Sequence, residues 1–114
     1  MNKTPTLLAL LLAAITAQAN DFPTVDRVLF VQDCMRNNPG PYYEMVNKCS
    51  CALDRIAEQV KHEDWVSMQT ITNAMTIGGE RGNDLRDNDT LKPQLRRYRE
   101  LNAAAAKSCF IGPR

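Results

Sequence analysis

Four cysteines constrain this chain more than any other feature. They stand at positions 34, 49, 51 and 109 of a chain of 114 residues. In a small exported domain an even number of cysteines forms disulfides, whereas cytosolic cysteines stay reduced and more often bind metals or carry out redox chemistry. The interpretation of the cysteines therefore depends on whether the chain is exported.

The N-terminus predicts export. Lys3 precedes an apolar stretch over residues 7–15, and Ala17-Gln18-Ala19 has the A-x-A pattern of a signal-peptide cleavage site. A membrane anchor needs about 20 apolar residues, which this stretch does not supply. We predict a signal peptide over residues 1–19, cleavage near Ala19, and one disulfide-stabilised domain over residues 20–114, located in the periplasm with no membrane span in the mature chain.

Apolar periodicity predicts an all-α fold, a small domain of four helices. Apolar residues recur at spacings of three and four, and the strongest stripe consists of Val46, Cys49, Leu53, Ile56, Ala57 and Val60. The predicted helices cover residues 24–36 with Thr24 as N-cap, residues 42–61, residues 63–77, and a last segment that begins near Thr90. Residues 78–84 contain three glycines, which disfavour a helix, so we predict a loop there.

The predicted helices allow two disulfide pairings. A Cys49–Cys51 bridge is disfavoured because residues two apart on a helix point about 200° apart. The distance of each cysteine from the Pro39-Gly40-Pro41 turn mildly favours Cys34–Cys49 with Cys51–Cys109. The positions of Cys49 and Cys109 on apolar stripes favour Cys34–Cys51 with Cys49–Cys109 instead. In both cases the second helix is linked to the first and the last.

Two other roles for Cys49-x-Cys51 compete with structural disulfides. The pair could hold a soft ion such as Cu(I), or exchange thiols, but the zinc-type C-x-x-C spacing is missing and His62 is the only histidine. We expect His62 to be a solvated residue at a helix junction, and no nucleophilic triad can be assembled. The sequence therefore predicts no enzyme activity, no cofactor and no metal site.

Charge is distributed unevenly along the chain. Outside Lys3 the acidic and basic residues are equal in number, which argues against nucleic-acid binding. Residues 20–80 are mainly acidic and the remainder mainly basic, an arrangement that favours either packing of a basic last helix on acidic ones or docking of an acidic partner. Residues 78–89 form either a charge-balanced linker or a recognition loop. The predicted partner-binding residues are Glu80, Arg81, Arg86, Arg96, Arg97 and Arg99.

Six motifs together resemble a group of small exported bacterial proteins found alongside periplasmic pyrroloquinoline-quinone alcohol dehydrogenases and their cytochromes. The matching motifs are Val25-Asp26-Arg27-Val28, Asp33-Cys34-Met35, Asn38-Pro39-Gly40-Pro41-Tyr42, Cys49-Ser50-Cys51, Gly79-Glu80-Arg81-Gly82 and Cys109. The resemblance implies a setting of alcohol oxidation and electron transfer, and it implies no catalytic residues.

These observations predict a non-enzymatic periplasmic accessory protein, monomeric or homodimeric, that docks a protein partner through the loop and the basic last helix. Two alternatives remain at this stage. One is a metal or thiol-redox carrier that uses Cys49 and Cys51, and the other is an immunity protein that blocks a secreted toxin.

Overall fold

The computed structural model describes residues 20–112, and over that range the all-α prediction is confirmed, with five helices and no strand. The predicted signal peptide lies outside the described residues. The helices are α1 (Thr24–Asn37), α2 (Tyr42–Gln59), α3 (His62–Ala74), α4 (Gly79–Arg86) and α5 (Lys92–Ser108). Residues 20–112 thus contain one more helix than the four expected from apolar periodicity.

Helix α2 is the centre of the domain. It packs against α1 on one side and α5 on the other, while α3 packs against α5. Its buried face contains Cys49, Leu53 and Ile56 of the predicted stripe, together with Met45 and Ala52, which were not in the stripe. The core that it forms with the other elements consists of Phe22, Ala52, Leu53, Ile56, Val60, Trp65, Met68, Ala105 and Cys109. The helix ends before Val60, whose extended backbone starts the turn into α3.

Two disulfides join α2 to both ends of the domain. Cys34 of α1 pairs with Cys49, and Cys51 pairs with Cys109 directly after α5. Of the two pairings left open by the sequence, the structure therefore has the one favoured by distance from the Pro39-Gly40-Pro41 turn. Because Cys49 and Cys51 point to different sides of α2, each can reach a different neighbouring helix.

Helix α1 contributes little to the core. None of its residues is buried, and Val25, Val28 and Leu29 are exposed. Its helix begins at Thr24 with Pro23 as N-cap and no side-chain cap hydrogen bond, so the prediction that Thr24 is the N-cap was wrong by one residue. The disulfide at Cys34 therefore holds α1 against α2 where apolar burial is small.

Helix α4 replaces the loop expected around the three glycines. Gly79 begins the helix with a φ of +79°, a conformation that side chains rarely adopt. Gly82 is buried so closely against the preceding turn that a Cβ at this position would overlap the Ile77 carbonyl oxygen. The glycines are thus needed for the turn into α4 and for close packing, and the prediction that they prevent a helix was wrong.

Removing the two disulfides separately should have unequal effects. In the chain-entropy description, a bridge that closes a longer loop restricts the unfolded chain more. The bridges span 15 and 58 residues, which corresponds to about 3 and about 4 kcal/mol. We expect the Cys51→Ala/Cys109→Ala variant to lose more free energy of unfolding in urea than the Cys34→Ala/Cys49→Ala variant. An equal or reversed order would show that native packing, rather than loop length, sets the difference.

Candidate functional site

Helix α5 has more charged side chains than any other described helix. Its charged side chains are five cations and one acid, and all of them are exposed. We call the cations the basic strip; they are Lys92, Arg96, Arg97, Arg99 and Lys107. Within the basic strip only Lys92 lies within 4 Å of a described carboxylate, that of Asp89. The predicted packing of the basic last helix on acidic helices is seen, because α5 packs against α2 and α3, but the described residues show no ion pair between α5 and those helices.

The two faces of α5 differ sharply because the helix advances 100° per residue. Tyr98, Asn102 and Ala105 lie on the side that faces the other helices, where Ala105 is buried and Tyr98 packs against the core. Arg96 and Arg99 are exposed on the side that faces solvent. Of the predicted partner-binding residues, Arg96 and Arg99 lie on this outer side. Arg97 lies 100° further round the helix and lines a pocket between α2 and α5 with Glu58 and Glu100.

The other predicted partner-binding residues lie on α4. Glu80 and Arg81 are exposed in its first turn. Arg86 has a structural role, because its guanidinium donates hydrogen bonds to the Met75 and Ile77 carbonyl oxygens at 3.3 and 2.9 Å. Arg86 therefore binds carbonyl groups exposed after α3 and closes the corner between α3 and α4.

A second candidate site is a groove of about 1010 Å³ between α1, α3 and α5. The ring of Trp65 is stacked on that of Tyr98, with centroids 4.8 Å apart, and the Phe30 ring meets Trp65 edge-on at 6.1 Å. We call this the aromatic groove. Leu29 of α1 and Val66 of α3 also line it and are 53% and 40% exposed, so each side presents an accessible apolar residue.

Polar groups surround the aromatic groove without any lysine or arginine among its lining residues. The carboxylates of Asp26 and Asp33 lie along α1, and Asp33 also forms an ion pair with Arg36, which is outside the lining. The amide side chains that line it are Asn37, Asn38, Gln69, Asn73 and Asn102. The groove therefore combines an aromatic floor with a negative and amide-rich border.

His62 closes one end of the aromatic groove. Its Nε2 is 2.6 Å from Asp26 Oδ2, and its ring meets Phe22 edge-on with centroids 5.1 Å apart. The backbone N–H of His62 donates to Asp21 Oδ2 at 3.0 Å, so a carboxylate from the N-terminal segment satisfies the start of α3. His62 lies at the predicted helix junction, at the start of α3, but these contacts leave its side chain only 23% exposed, so it is partly rather than fully solvated.

Tyr98 has the clearest electrostatic perturbation in the groove. Burial raises the pKa of its phenol above the usual value of 10.0, and the neighbouring Asn102 side chain opposes that shift. The cause is desolvation, which disfavours the phenolate beside Trp65. Tyr98 therefore stays protonated over the ordinary range of pH and presents a neutral ring.

The cysteines and acids offer no other site within residues 20–112. All four cysteines are in disulfides, and no group of three or more histidine, cysteine, aspartate or glutamate side chains is arranged to hold a metal ion. None of the described helices combines the length and the apolar character needed to cross a bilayer.

Comparison with known proteins adds no relative to this description. The chain matches no protein-family model, no curated protein and no solved structure.

Charge and helical periodicity in the sequence indicate the cations of α5 but not the aromatic groove. Trp65 and Tyr98 lie on two different helices, α3 and α5, and nothing in the sequence shows that their rings stack. Phe22, which is 5% exposed, was missed because it precedes the first helix and so belongs to no periodic pattern. The sequence shows only that Phe22 is an apolar residue between the predicted cleavage site and Pro23, which does not indicate that it is buried.

Substituting Gly82 should loosen α4. The added methyl group of Gly82→Ala would overlap the Ile77 carbonyl oxygen and lie 2.8 Å from Arg86 Nη1, and such overpacking costs about 1–3 kcal/mol. We expect faster amide hydrogen exchange over residues 79–86, measured by mass spectrometry. Gly78→Ala is the matched control, because no atom lies within 4 Å of its added Cβ and its φ of −77° suits alanine. Equal exchange in both variants would contradict the close packing at Gly82.

Stability should fall at alkaline pH through Tyr98. The raised pKa means that the folded state keeps a proton that the unfolded state releases, so this stabilisation is present below the usual tyrosine pKa of 10.0 and is lost as pH rises through the raised value. We expect a late tyrosinate phase in an absorbance titration, which Tyr98→Phe removes. Tyr43→Phe, a change at a residue that is 79% exposed, should leave the late phase in place, and its loss there would contradict the assignment.

Proposed function

We propose that this protein is an exported, non-catalytic accessory protein that docks an acidic protein partner through the basic strip of α5. The observation that carries the proposal is that four of the five strip cations form no ion pair with a described carboxylate. Apart from Lys92, its cations lie more than 4 Å from every described carboxylate. Charges that are not neutralised within a chain are available to attract a partner of opposite sign.

The strip is well placed for electrostatic steering. It runs along a helix of 17 residues, which corresponds to about 25 Å at 1.5 Å per residue. Exposed charges act over roughly 8–10 Å at physiological ionic strength, so neighbouring arginines reinforce one another. Such a surface raises the rate of encounter with an acidic protein more than it raises the affinity, and high salt should weaken the complex.

The disulfides support this role by holding α5 in place. Cys109 lies directly after the helix and is bonded to Cys51 of the central helix. The end of the basic strip is thereby attached covalently to the core. A rigid surface loses less conformational entropy on binding than a mobile one.

The resemblance to exported proteins that accompany quinoprotein alcohol dehydrogenases suggests the class of partner. We propose a periplasmic quinoprotein dehydrogenase or its cytochrome, with an acidic surface that faces the strip. Arg81, a predicted partner-binding residue on α4, is also exposed and is a further cation that could contact this partner. A carrier function through Cys49 and Cys51 has less support, because it needs thiols and both sulfurs are in disulfides.

Charge reversal on α5 tests the proposal. The double variant Arg96→Glu/Arg99→Glu should lose the acidic partner that the wild-type protein captures from a periplasmic extract at low salt. Like charges at an interface cost several kcal/mol, so we expect at least about a tenfold loss of affinity with the purified partner. The measurement is calorimetric titration with that partner at two salt concentrations.

The matched control is Arg27→Glu/Lys61→Glu, which changes the net charge equally at two exposed positions outside α5. The control should bind as the wild type does. Retention of every captured partner by the α5 variant, or equal losses in both variants, would overturn the proposal.

A further inference from the structure

The aromatic groove lies on the other side of α5 from the basic strip and has the opposite electrostatic character. Its α5 lining residues include Tyr98 and Asn102, whereas the exposed cations Arg96 and Arg99 are not among its lining residues. The charged side chains that do line it are Asp26 and Asp33, together with His62. The groove is therefore a second surface, independent of the one that carries the proposed function.

The apolar residues of the groove remain accessible. Leu29 and Val66 face it from α1 and α3 and are 53% and 40% exposed. Burying exposed side chains of this size stabilises a complex by roughly 25 cal/mol for each Å² removed from water. An occupant thus gains free energy by presenting an apolar face to Leu29, Val66 and the edge of the aromatic floor.

The length of the groove matches a helix. Its lining residues extend from Phe22 and His62 near the start of α1 to Asn37 and Gly112 near the end of α1. The 14 residues of α1 correspond to about 21 Å. An amphipathic helix of about four turns fills a trough of that length between two other helices, as in helix-in-groove recognition.

The acidic residues along the groove determine which charge a bound helix can have there. An anionic helix or a fatty acid would bring a negative charge to Asp26 and Asp33 with no lysine or arginine in the lining to balance it. Asp33 is paired with Arg36 and Asp26 with His62, and with histidine counted as neutral the two carboxylates exceed that one arginine, so the border favours a cationic residue over an anionic one. We infer that the aromatic groove binds a cationic amphipathic helix of a protein partner, with apolar residues on Leu29 and Val66 and lysine or arginine beside Asp26 and Asp33.

The inference can be tested with a designed peptide. The probe is a dye-labelled helical peptide of 14 residues, built from leucine and lysine, with a leucine and glutamate peptide of the same pattern for comparison. Its binding to the disulfide-bonded protein recovered after export is measured by fluorescence anisotropy. We expect saturable binding of the lysine peptide and at least about tenfold weaker binding of the glutamate peptide.

The single tryptophan locates the binding site. Trp65 is the only tryptophan of the chain and forms part of the groove floor, so a leucine and lysine peptide without tryptophan should change its emission with the same midpoint as the anisotropy. Binding of the lysine peptide without any change in Trp65 emission would place it elsewhere and overturn the inference. Preferential binding of the glutamate peptide, or of laurate as an anionic amphiphile, would also overturn it.

Substitutions on α1 provide the matched control. Leu29→Arg places a cation in the groove and should weaken binding of the lysine peptide by at least about tenfold. Val25→Arg makes the same type of change on the same helix at a position that is 62% exposed and outside the groove lining, and it should bind as the wild type does. Val66→Arg tests the α3 side in the same way.

The basic strip gives a control that separates the two proposals. Arg96→Glu/Arg99→Glu should leave binding of the lysine peptide within about twofold, because neither residue lines the groove. Equal effects of Leu29→Arg and Val25→Arg, with both variants folded by circular dichroism, would show that the peptide binds nonspecifically to acidic surface and would contradict the inference.

Discussion

The attachment of both ends of the domain to α2 through neighbouring cysteines is the constraint on which the rest of the structure depends. Cys49 and Cys51 are separated by one residue, so helical geometry directs them to different sides of α2. One bonds to α1 and the other to the end of α5. A domain this small has a limited apolar core, and two covalent links compensate by restricting the unfolded chain.

The same constraint explains why the aromatic groove is open. A helix held mainly by burial would place its apolar residues in the core, but none of the α1 residues is buried and Leu29 stays 53% exposed. The Cys34–Cys49 bond keeps α1 against α2 without requiring that α1 also close on α3. The space between α1 and α3 is left as a groove, floored by Trp65 and Tyr98.

Helix α5 then presents two surfaces of different chemistry. Its inner face supplies Tyr98 to the groove, and its outer face supplies the basic strip. If both proposals hold, the molecule can contact an acidic surface with one side of α5 while a cationic helix occupies the other side. The chain is acidic in its first three helices and basic toward its end. These two regions would then bind two different partners of opposite charge rather than pair with each other inside the fold.

Local signals in the sequence were sufficient to predict the all-α class, the inward face of α2 and the location of the cations on α5, because helical periodicity and charge are properties of neighbouring residues. They were insufficient where distant residues meet. The choice between two disulfide pairings, the stacking of Trp65 on Tyr98 and the contact of His62 with Asp26 depend on how helices pack, which no single segment encodes. Helix α4 also depends on contacts between separate segments. Glycine by itself disfavours a helix, but at position 82 the Ile77 carbonyl oxygen and the Arg86 guanidinium lie so close that a side chain would not fit. Sequence patterns thus decided four of the five described helices and which of their faces are apolar or charged. Tertiary packing decided helix α4, which faces are covered and where a groove remains.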